Sequence, residues 1–335
     1  MPAFLAPSPH GAHDPLASAP SFSVVIAAYQ AAHLIADAVE SALGQTHPPE
    51  EVIVCDDGST DDIAGALAPY ADRIAVIRKP NGGEASAKNA GAGAARGDFV
   101  VFLDADDVFL PTRLEALGEL ARARPDLDVL TSDALLELDG EVVRRCYDEH
   151  LRFETGDQRS GILRRNFVFG LAAARRSALL AVGGFDERIR YTTDWDLWLR
   201  MIFGGSSVGC VDAPLARYRL QSGSLSAQRA KLIAGRLETL EKAWQRDDLT
   251  ATERDVLEQS LAENRRDLGL ACAREAVRAG DRRARRLSYD VARDARHPAA
   301  TRLKAAAAAA LPRLARVLDN GEVETTGGVR YRPAR

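Results

Sequence analysis

What is scarce in this 335-residue sequence narrows its class before any motif is read. Cysteine is sparse: Cys55, Cys146, Cys210 and Cys272 lie far apart, with no C-x-x-C pair and no histidines at metal-ligand spacing. That excludes a disulfide framework and a zinc site, and it fits the reduced thiols of a cytosolic protein. No run approaches the ~20 consecutive apolar residues of a membrane span, so no bilayer-crossing helix is expected. Excess positive charge is missing too. With 44 Lys+Arg against 48 Asp+Glu the net charge is −4, and no nucleic-acid partner is expected. Residues 1–20 are rich in Pro, Ala and His and lack both a basic start and an apolar stretch, which predicts a disordered tail rather than a signal peptide. Neither G-x-G-x-x-G after the first strand nor G-x-x-x-x-G-K-[ST] occurs in the first half, so dinucleotide and P-loop readings lose their main support.

What is present is an ordinary globular composition, 46% hydrophobic and 27% charged, in a chain long enough for a large domain plus an appendage. Phe99-Val100-Val101-Phe102-Leu103 is too short for a core helix and rich in β-branched and aromatic residues, so it reads as a buried parallel strand. It runs into Asp104, Asp106 and Asp107, and Pro111 then opens a helix. A buried strand cannot hold unpaired carboxylates in its core, so they belong just past its carboxyl end. That edge of an open α/β sheet is where ligands bind. Closely spaced like charges there repel, and a hard divalent cation relieves the repulsion.

Strands are predicted over Ser23–Ala28, Glu51–Cys55, Ile74–Ile77 and Asp98–Leu103, with helices over 33–43 and 84–95 between them. Alternation of this kind predicts a doubly wound parallel sheet. Gly58 suits a tight turn and Ser59 or Thr60 a helix N-cap. Beyond Pro111 the pattern predicts helices over 111–123, Arg176–Val182 and Thr193–Ile202, and a strand and hairpin over 128–145 around Asp139-Gly140. Further strands are predicted over Phe167–Ala173, Ser207–Val211 and Leu215–Leu220, while 151–165 is ambiguous. From 226 to 318 the composition shifts to Ala, Arg, Leu and Glu, which predicts a helical appendage of three or four helices, followed by a frayed tail over 319–335.

Strands one, two and four each end in a polar or aromatic group on the same sheet edge. Tyr29 offers a stacking face for a base, worth ~1–3 kcal/mol in comparable contacts. Asp57 can accept from a base N–H, and Asp106 can hold a metal that neutralises a diphosphate. Singly, these residues read better as a core-rim tyrosine, an Asx-turn aspartate and a helix-capping aspartate. Together they do not.

In order and spacing, Ser23-Val24-Val25-Ile26-Ala27-Ala28-Tyr29, Glu51–Asp61, Asn81-Gly82-Gly83, Lys88-Asn89-Ala90-Gly91 and the DXD-type Leu103-Asp104-Ala105-Asp106-Asp107 resemble glycosyltransferase family 2. The likeness continues through Gly183-Gly184-Phe185-Asp186-Glu187 and Thr193-Asp194-Trp195-Asp196-Leu197-Trp198-Leu199 to Tyr218-Arg219. It implies a Rossmann-like GT-A domain over 21–225, with a mostly parallel sheet flanked by helices, and a helical C-terminal appendage. It also implies an inverting transfer from a nucleotide sugar, UDP-linked, to a saccharide or lipid-linked acceptor in cell-surface polysaccharide or glycoconjugate synthesis, with Mg²⁺ or Mn²⁺. By the same resemblance the base lies near Ala27 and Tyr29 with Asp57 on its edge, and Lys88 approaches the nucleotide. Asp104 is the ribose-side carboxylate, Asp106 the metal ligand and Asp194 the catalytic base. A positioned carboxylate that takes the acceptor proton contributes ~10²–10⁴-fold.

Departures accompany the likeness. Thr193-Asp194 stands where the family has Glu-Asp, Ala27 and Gln30 replace a proline and an asparagine, and Gln221 stands where a histidine is frequent. Those at 193 and 221 motivate the rival reading, a non-catalytic nucleotide-sugar-binding scaffold or sensor. Trp195 and Trp198 can line an acceptor site, Trp198 fitting the core better. Arg282, Arg283, Arg285, Arg286, Arg302, Lys304, Arg313 and Arg316 can form a cationic surface for peripheral contact at the inner face of a membrane. The alternative is a helical layer packed on the catalytic domain, which the alanine-rich 299–311 stretch favours.

Overall fold

The computed structural model describes residues 20–138, 140–148, 151–220, 229–318, 323–324 and 330–331. The expected N-terminal tail up to residue 19, the hairpin residue Asp139, the 221–228 segment with Gln221, and most of the 319–335 tail lie outside the described residues.

The sheet is built around β1 (Phe22–Ala28), which pairs in parallel with β2 (Glu51–Asp56) on one side and β4 (Phe99–Asp104) on the other; β2 in turn pairs in parallel with β3 (Ala75–Arg78). The apolar runs are continuous because both faces are covered. Val25, Ile53 and Phe102 face one core with Trp198 and Leu199, while Val24, Ile26, Val52 and Leu103 face another with Ile35 and Val39 of α1 (Ile35–Leu43). Gly91 allows α3 (Glu84–Ala94) to lie on β1 and β2, since a Cβ there would collide with Val25 and come 2.9 Å from Cys55 Sγ.

Beyond β4 the sheet becomes mixed. β8 (Ala173–Arg175) runs antiparallel to both β4 and β6 (Leu127–Leu138), and β9 (Ser207–Leu220) is parallel to β6 and antiparallel to the short β5 (Val108–Phe109). The order is β3-β2-β1-β4-β8-β6-β9-β5, with β7 (Glu141–Arg145) paired to β6.

Three expectations need correction. The strand predicted at Phe167–Ala173 is mostly turn: the Val168 N–H donates to Asn166 Oδ1 and the Ala172 N–H to the Phe169 carbonyl, so buried apolar residues are satisfied without a ladder. The two strands predicted across 207–220 are one, because a register shift opposite Ser132/Asp133 absorbs Asp212 and Ala213 as a bulge. The first short helix after β2, α2 (Ile63–Leu67), is capped by Asp62 through the Gly65 N–H, not by Ser59 or Thr60.

Four helices flank the second half of the sheet: α4 (Arg113–Ala123), α5 (Gln158–Arg164), α6 (Arg176–Ala181) and α7 (Thr193–Phe203). Among the described residues the C-terminal region holds five helices rather than three or four: α8 (Arg229–Trp244), α9 (Ala251–Ala279), α10 (Ala284–Arg293), α11 (Ala299–Ala310) and α12 (Pro312–Leu318). A Thr250–Glu253 capping box opens α9, and Gly280 closes it at φ +67°. Lys242 of α8 bridges Asp186 and Asp196 at 2.7 Å each, and Glu253 binds Arg159 of α5 at 2.6 Å. Among the described residues no helix is long and apolar enough to cross a membrane.

Candidate active site

Parallel pairing in register sets the rim of the crevice. Ala27 lies opposite both Cys55 and Asp104, and Ala28 opposite Asp56, so the ends of β1, β2 and β4 coincide. Tyr29 follows, 54% exposed, its ring free to stack. Gln30 then takes a left-handed φ of +52°, and its side chain accepts from the Thr60 and Asp61 N–H groups, tying the end of β1 to the loop after β2.

Asp57, buried in that loop, is already engaged. Its oxygens accept from Lys79 Nζ at 2.7 Å, from the Gly82 N–H at 3.0 Å and 3.1 Å, and from the Gly83 N–H at 2.7 Å. A base N–H therefore competes with Lys79 for this carboxylate. Its visible task is to hold the segment that leads into α3.

At the base of the crevice sits Lys88, 2% exposed, with Nζ 2.6 Å from Glu84 Oε1 and 2.8 Å from Asp104 Oδ1. Burial alone would lower this ammonium, but the charges of Asp104 and Glu84 hold it above its ordinary value. Burial raises Asp104 despite Lys88, and burial together with the Asp104 charge raises Asp106. Asp107 is driven up furthest by burial and its two acidic neighbours; one oxygen accepts from the Arg219 N–H at 2.9 Å and the other is buried without a partner. Tyr218, edge-on to Phe169 at 5.3 Å, is raised by burial and by the charges of the same carboxylates.

Asp194 opens α7 on the far wall. Burial pushes its carboxyl up to about 6, opposed by the Lys88 charge. Oδ2 accepts from Asn166 Nδ2 at 2.9 Å and Oδ1 from the Trp195 N–H at 2.8 Å, which aims the group. Gly170 leaves room beside it: a Cβ there would stand 3.3 Å from Oδ2. Thr192, two residues before Asp194, is β-branched yet sits at φ +57°, a strained conformation held by bonds to the Tyr191 carbonyl and the Thr239 hydroxyl. Thr193 is buried, and its side chain hydrogen-bonds Glu84, which the Lys88 charge lowers. Asp196 points elsewhere, to Arg200 and Lys242. Trp195 and Trp198 are both core, the former with its indole N–H on the Ile162 carbonyl, so neither lines an acceptor site.

The crevice thus gathers Ala27, Tyr29, Asp57, Lys88, Asp104, Asp106 and Asp194. Sequence reasoning missed Glu84, which touches both Lys88 and Thr193, and Asn166, which orients Asp194. The only sequence signal for Glu84 is its i,i+4 spacing to Lys88.

The glycosyl transferase family 2 profile matches residues 23–183. The uncharacterized glycosyltransferase RP339 of Rickettsia prowazekii (strain Madrid E) is 30% identical over 230 residues, which span 67% of this chain and 70% of that protein. The chain belongs to glycosyl transferase family 2. As a member of that family it is a glycosyltransferase. The chondroitin synthase of Pasteurella multocida (strain Pm70) is 32% identical over 187 residues, 54% of this chain but 19% of that one. Among solved structures, the mannosyltransferase PcManGT from Pyrobaculum calidifontis, in complex with GDP-Man and Mn²⁺, has a TM-score of 0.60 at 21% identity, covering 91% of this chain and 84% of that one. S. aureus TarS 1-349 in complex with UDP has a TM-score of 0.56 at 17% identity, covering 86% and 90%. These likenesses establish the GT-A fold.

The family 2 crevice here suits a hard divalent cation. Asp106 is half-buried, is bonded through its side chain to its own backbone N–H, and is held above its ordinary value by burial and Asp104. Among those residues no three His, Cys, Asp or Glu side chains cluster closely enough to cage a metal. One or two carboxylates completed by substrate phosphates is the donor set that magnesium-type ions accept.

Proposed function

We propose that this glycosyltransferase moves a sugar, with inversion, from a UDP-linked donor to the hydroxyl of a saccharide or lipid-linked acceptor in cell-surface polysaccharide or glycoconjugate synthesis. Residues 21–225 form the catalytic domain and 226–318 a helical region packed on it. The observation that carries the reading is Asp194: a half-buried carboxylate poised at about 6, oriented by Asn166 and facing the Lys88–Asp104 pair across one crevice. A group that is ionised at neutral pH but retains proton affinity suits a general base for an attacking hydroxyl.

In this mechanism Tyr29 stacks on the base beside Ala27, and Asp57 frames its edge through the 79–83 loop. Asp104 meets the ribose side while Lys88 holds it in place. Asp106 would hold Mg²⁺ or Mn²⁺, which when bound offsets the charge growing on the departing diphosphate. Asp194 takes the acceptor proton as the hydroxyl attacks from the face opposite the leaving group. The relative named as a chondroitin synthase supports a polysaccharide setting. Exposed Leu303, Leu311 and Leu314 alongside Arg302, Lys304 and Arg313 support cytoplasmic work at the inner face of a membrane.

Nucleotide sugars incubated with the protein and Mn²⁺ test the reading. Release of nucleoside diphosphate that disappears in Asp194→Asn, with donor binding retained, is expected. Donor binding with no hydrolysis or transfer in the parent protein would favour the scaffold reading instead.

A further inference from the structure

The cations around the crevice are almost all committed to carboxylates. Lys79 is tied to Asp57, Lys88 to Glu84 and Asp104, Lys242 and Arg200 to Asp196, and Arg219 to Asp37. Arg236 of α8 differs. It is half-buried, yet it makes no hydrogen bond and no ion pair among the described residues.

Its direction is set by its neighbours on the helix. Thr239, one turn later on the same face, meets the Thr192 hydroxyl at 3.1 Å. Gly235 packs so closely on Tyr191 that a Cβ there would approach the Tyr191 carbonyl to 3.2 Å. This face of α8 therefore lies against Tyr191 and Thr192, just before Asp194, and Arg236 stands within electrostatic reach of Asp194 and Asp267, with Arg229 repelling it. Its guanidinium nitrogens are not sealed from water, so an arriving anion can reach them. Asp194 is not paired with it: the Asp194 oxygens accept from Asn166 and the Trp195 N–H instead.

We propose that Arg236 is the contact through which the C-terminal helices hold a phosphate group of a ligand at the Asp194 end of the crevice. The inference rests on the glycosyl-transfer reading above for the identity of that ligand, whose phosphate comes either from the donor diphosphate or from a phosphorylated acceptor. A planar guanidinium fork suits phosphate oxygens better than an ammonium would. It gives the appendage a task in the reaction: when α8 is seated on Tyr191 and Thr192, strand ends and appendage close on the same anion.

The test compares the parent chain with Arg236→Met, which keeps the apolar stem, and Arg236→Lys, which keeps the charge. Calorimetric titration with Mn²⁺ present uses UDP, uridine, inorganic pyrophosphate and inorganic phosphate, and thermal melts verify folding. Loss of a charge-assisted contact weakens binding about 10- to 100-fold. Weaker UDP and pyrophosphate binding in Arg236→Met, with uridine unchanged and part of the loss restored by Arg236→Lys, assigns the donor diphosphate. Unchanged UDP with loss of inorganic phosphate binding to the UDP-loaded protein assigns a phosphorylated acceptor. Parent and Arg236→Met proteins that melt alike and bind all four probes alike overturn the inference. Should the parent bind pyrophosphate but no nucleotide, the donor reading fails while the pyrophosphate comparison still decides Arg236. A parent that binds none of the probes overturns both.

Discussion

Replacing Lys88 by methionine removes one charge from the centre of the crevice and leaves its volume nearly intact. The ammonium is 2% exposed, with Glu84 and Asp104 oxygens 2.6 Å and 2.8 Å away. Breaking a fully buried pair from one side costs about 3–5 kcal/mol. Here the partners' side chains are 51% and 31% exposed, so water recovers part of that loss. Discounted for this screening, the expected cost is about 1–3 kcal/mol, a fall in Tm of about 2–5 °C for a chain of this length. The pH dependence follows from Glu84, which the Lys88 charge lowers. A lowered carboxylate stabilises the fold above its unfolded value and loses that contribution as pH falls through its folded value. The gap in Tm between parent and variant is therefore full at about pH 7 and shrinks below about pH 4. Asp104, already raised by burial, rises further in the variant and adds in the same direction. Melts at both pH values decide. An equal loss at both, or none at neutral pH, refutes the claim that this ammonium neutralises the two carboxylates. Lys88 also lowers Asp194, so in the variant the acid limb of the transfer rate moves to higher pH.

Asp194→Asn is expected to cut transfer by about 10²–10⁴-fold with UDP affinity preserved, and an unchanged rate removes Asp194 from the base role. In the parent, a base at about 6 that works ionised gives a rate falling tenfold per unit on the acid side of that value; a flat profile down to about pH 4 contradicts it. Asp106→Asn is expected to abolish the gain in UDP affinity on adding Mn²⁺ while leaving uridine binding alone, as titration with and without the metal will read. Gly91→Ala forces a methyl against Val25 and Cys55, and overpacking of about 1–3 kcal/mol outweighs the roughly 1 kcal/mol gained in helix propensity. A more stable Gly91→Ala protein would show that α3 is free to move off the sheet.

The first hundred described residues follow the sequence closely because burial on both faces imposes one simple pattern. β1, β2 and β4 are uninterrupted apolar runs, and their parallel register brings Ala27 and Asp104 side by side without help from side-chain detail. Between β4 and α7 the pattern fails where hydrophobicity and backbone pairing part company. Phe167, Val168, Leu171 and Ala172 are all buried, yet turns satisfy their backbone, and no periodicity reveals that. β5 has two residues and exists because β9 lies beside it. Within the site, residue types at strand ends were readable, but their engagements were not. That Asp57 is occupied by Lys79 and two loop N–H groups depends on the path of residues 79–83, which only tertiary contacts fix.

The Thr193 substitution bears directly on whether the crevice still turns over. A threonine in place of the expected glutamate removes a negative charge from the start of α7, and that loss was a ground for a binding-only protein. In three dimensions the charge is present. Glu84 reaches across from the first turn of α3, hydrogen-bonds the side chain of Thr193, and raises Asp194 through repulsion as a glutamate beside it would. It also neutralises half of Lys88, so that ammonium serves two carboxylates from different elements. A carboxylate therefore stands beside Thr193 although residue 193 carries none. Because an electrostatic field depends on where charges stand and not on which strand or helix delivers them, the substitution at 193 does not by itself imply lost catalysis. Glu84→Gln separates the two readings: an acid limb that shifts below about pH 6 shows Glu84 acting on the base through its charge, whereas an unmoved limb confines it to holding Lys88.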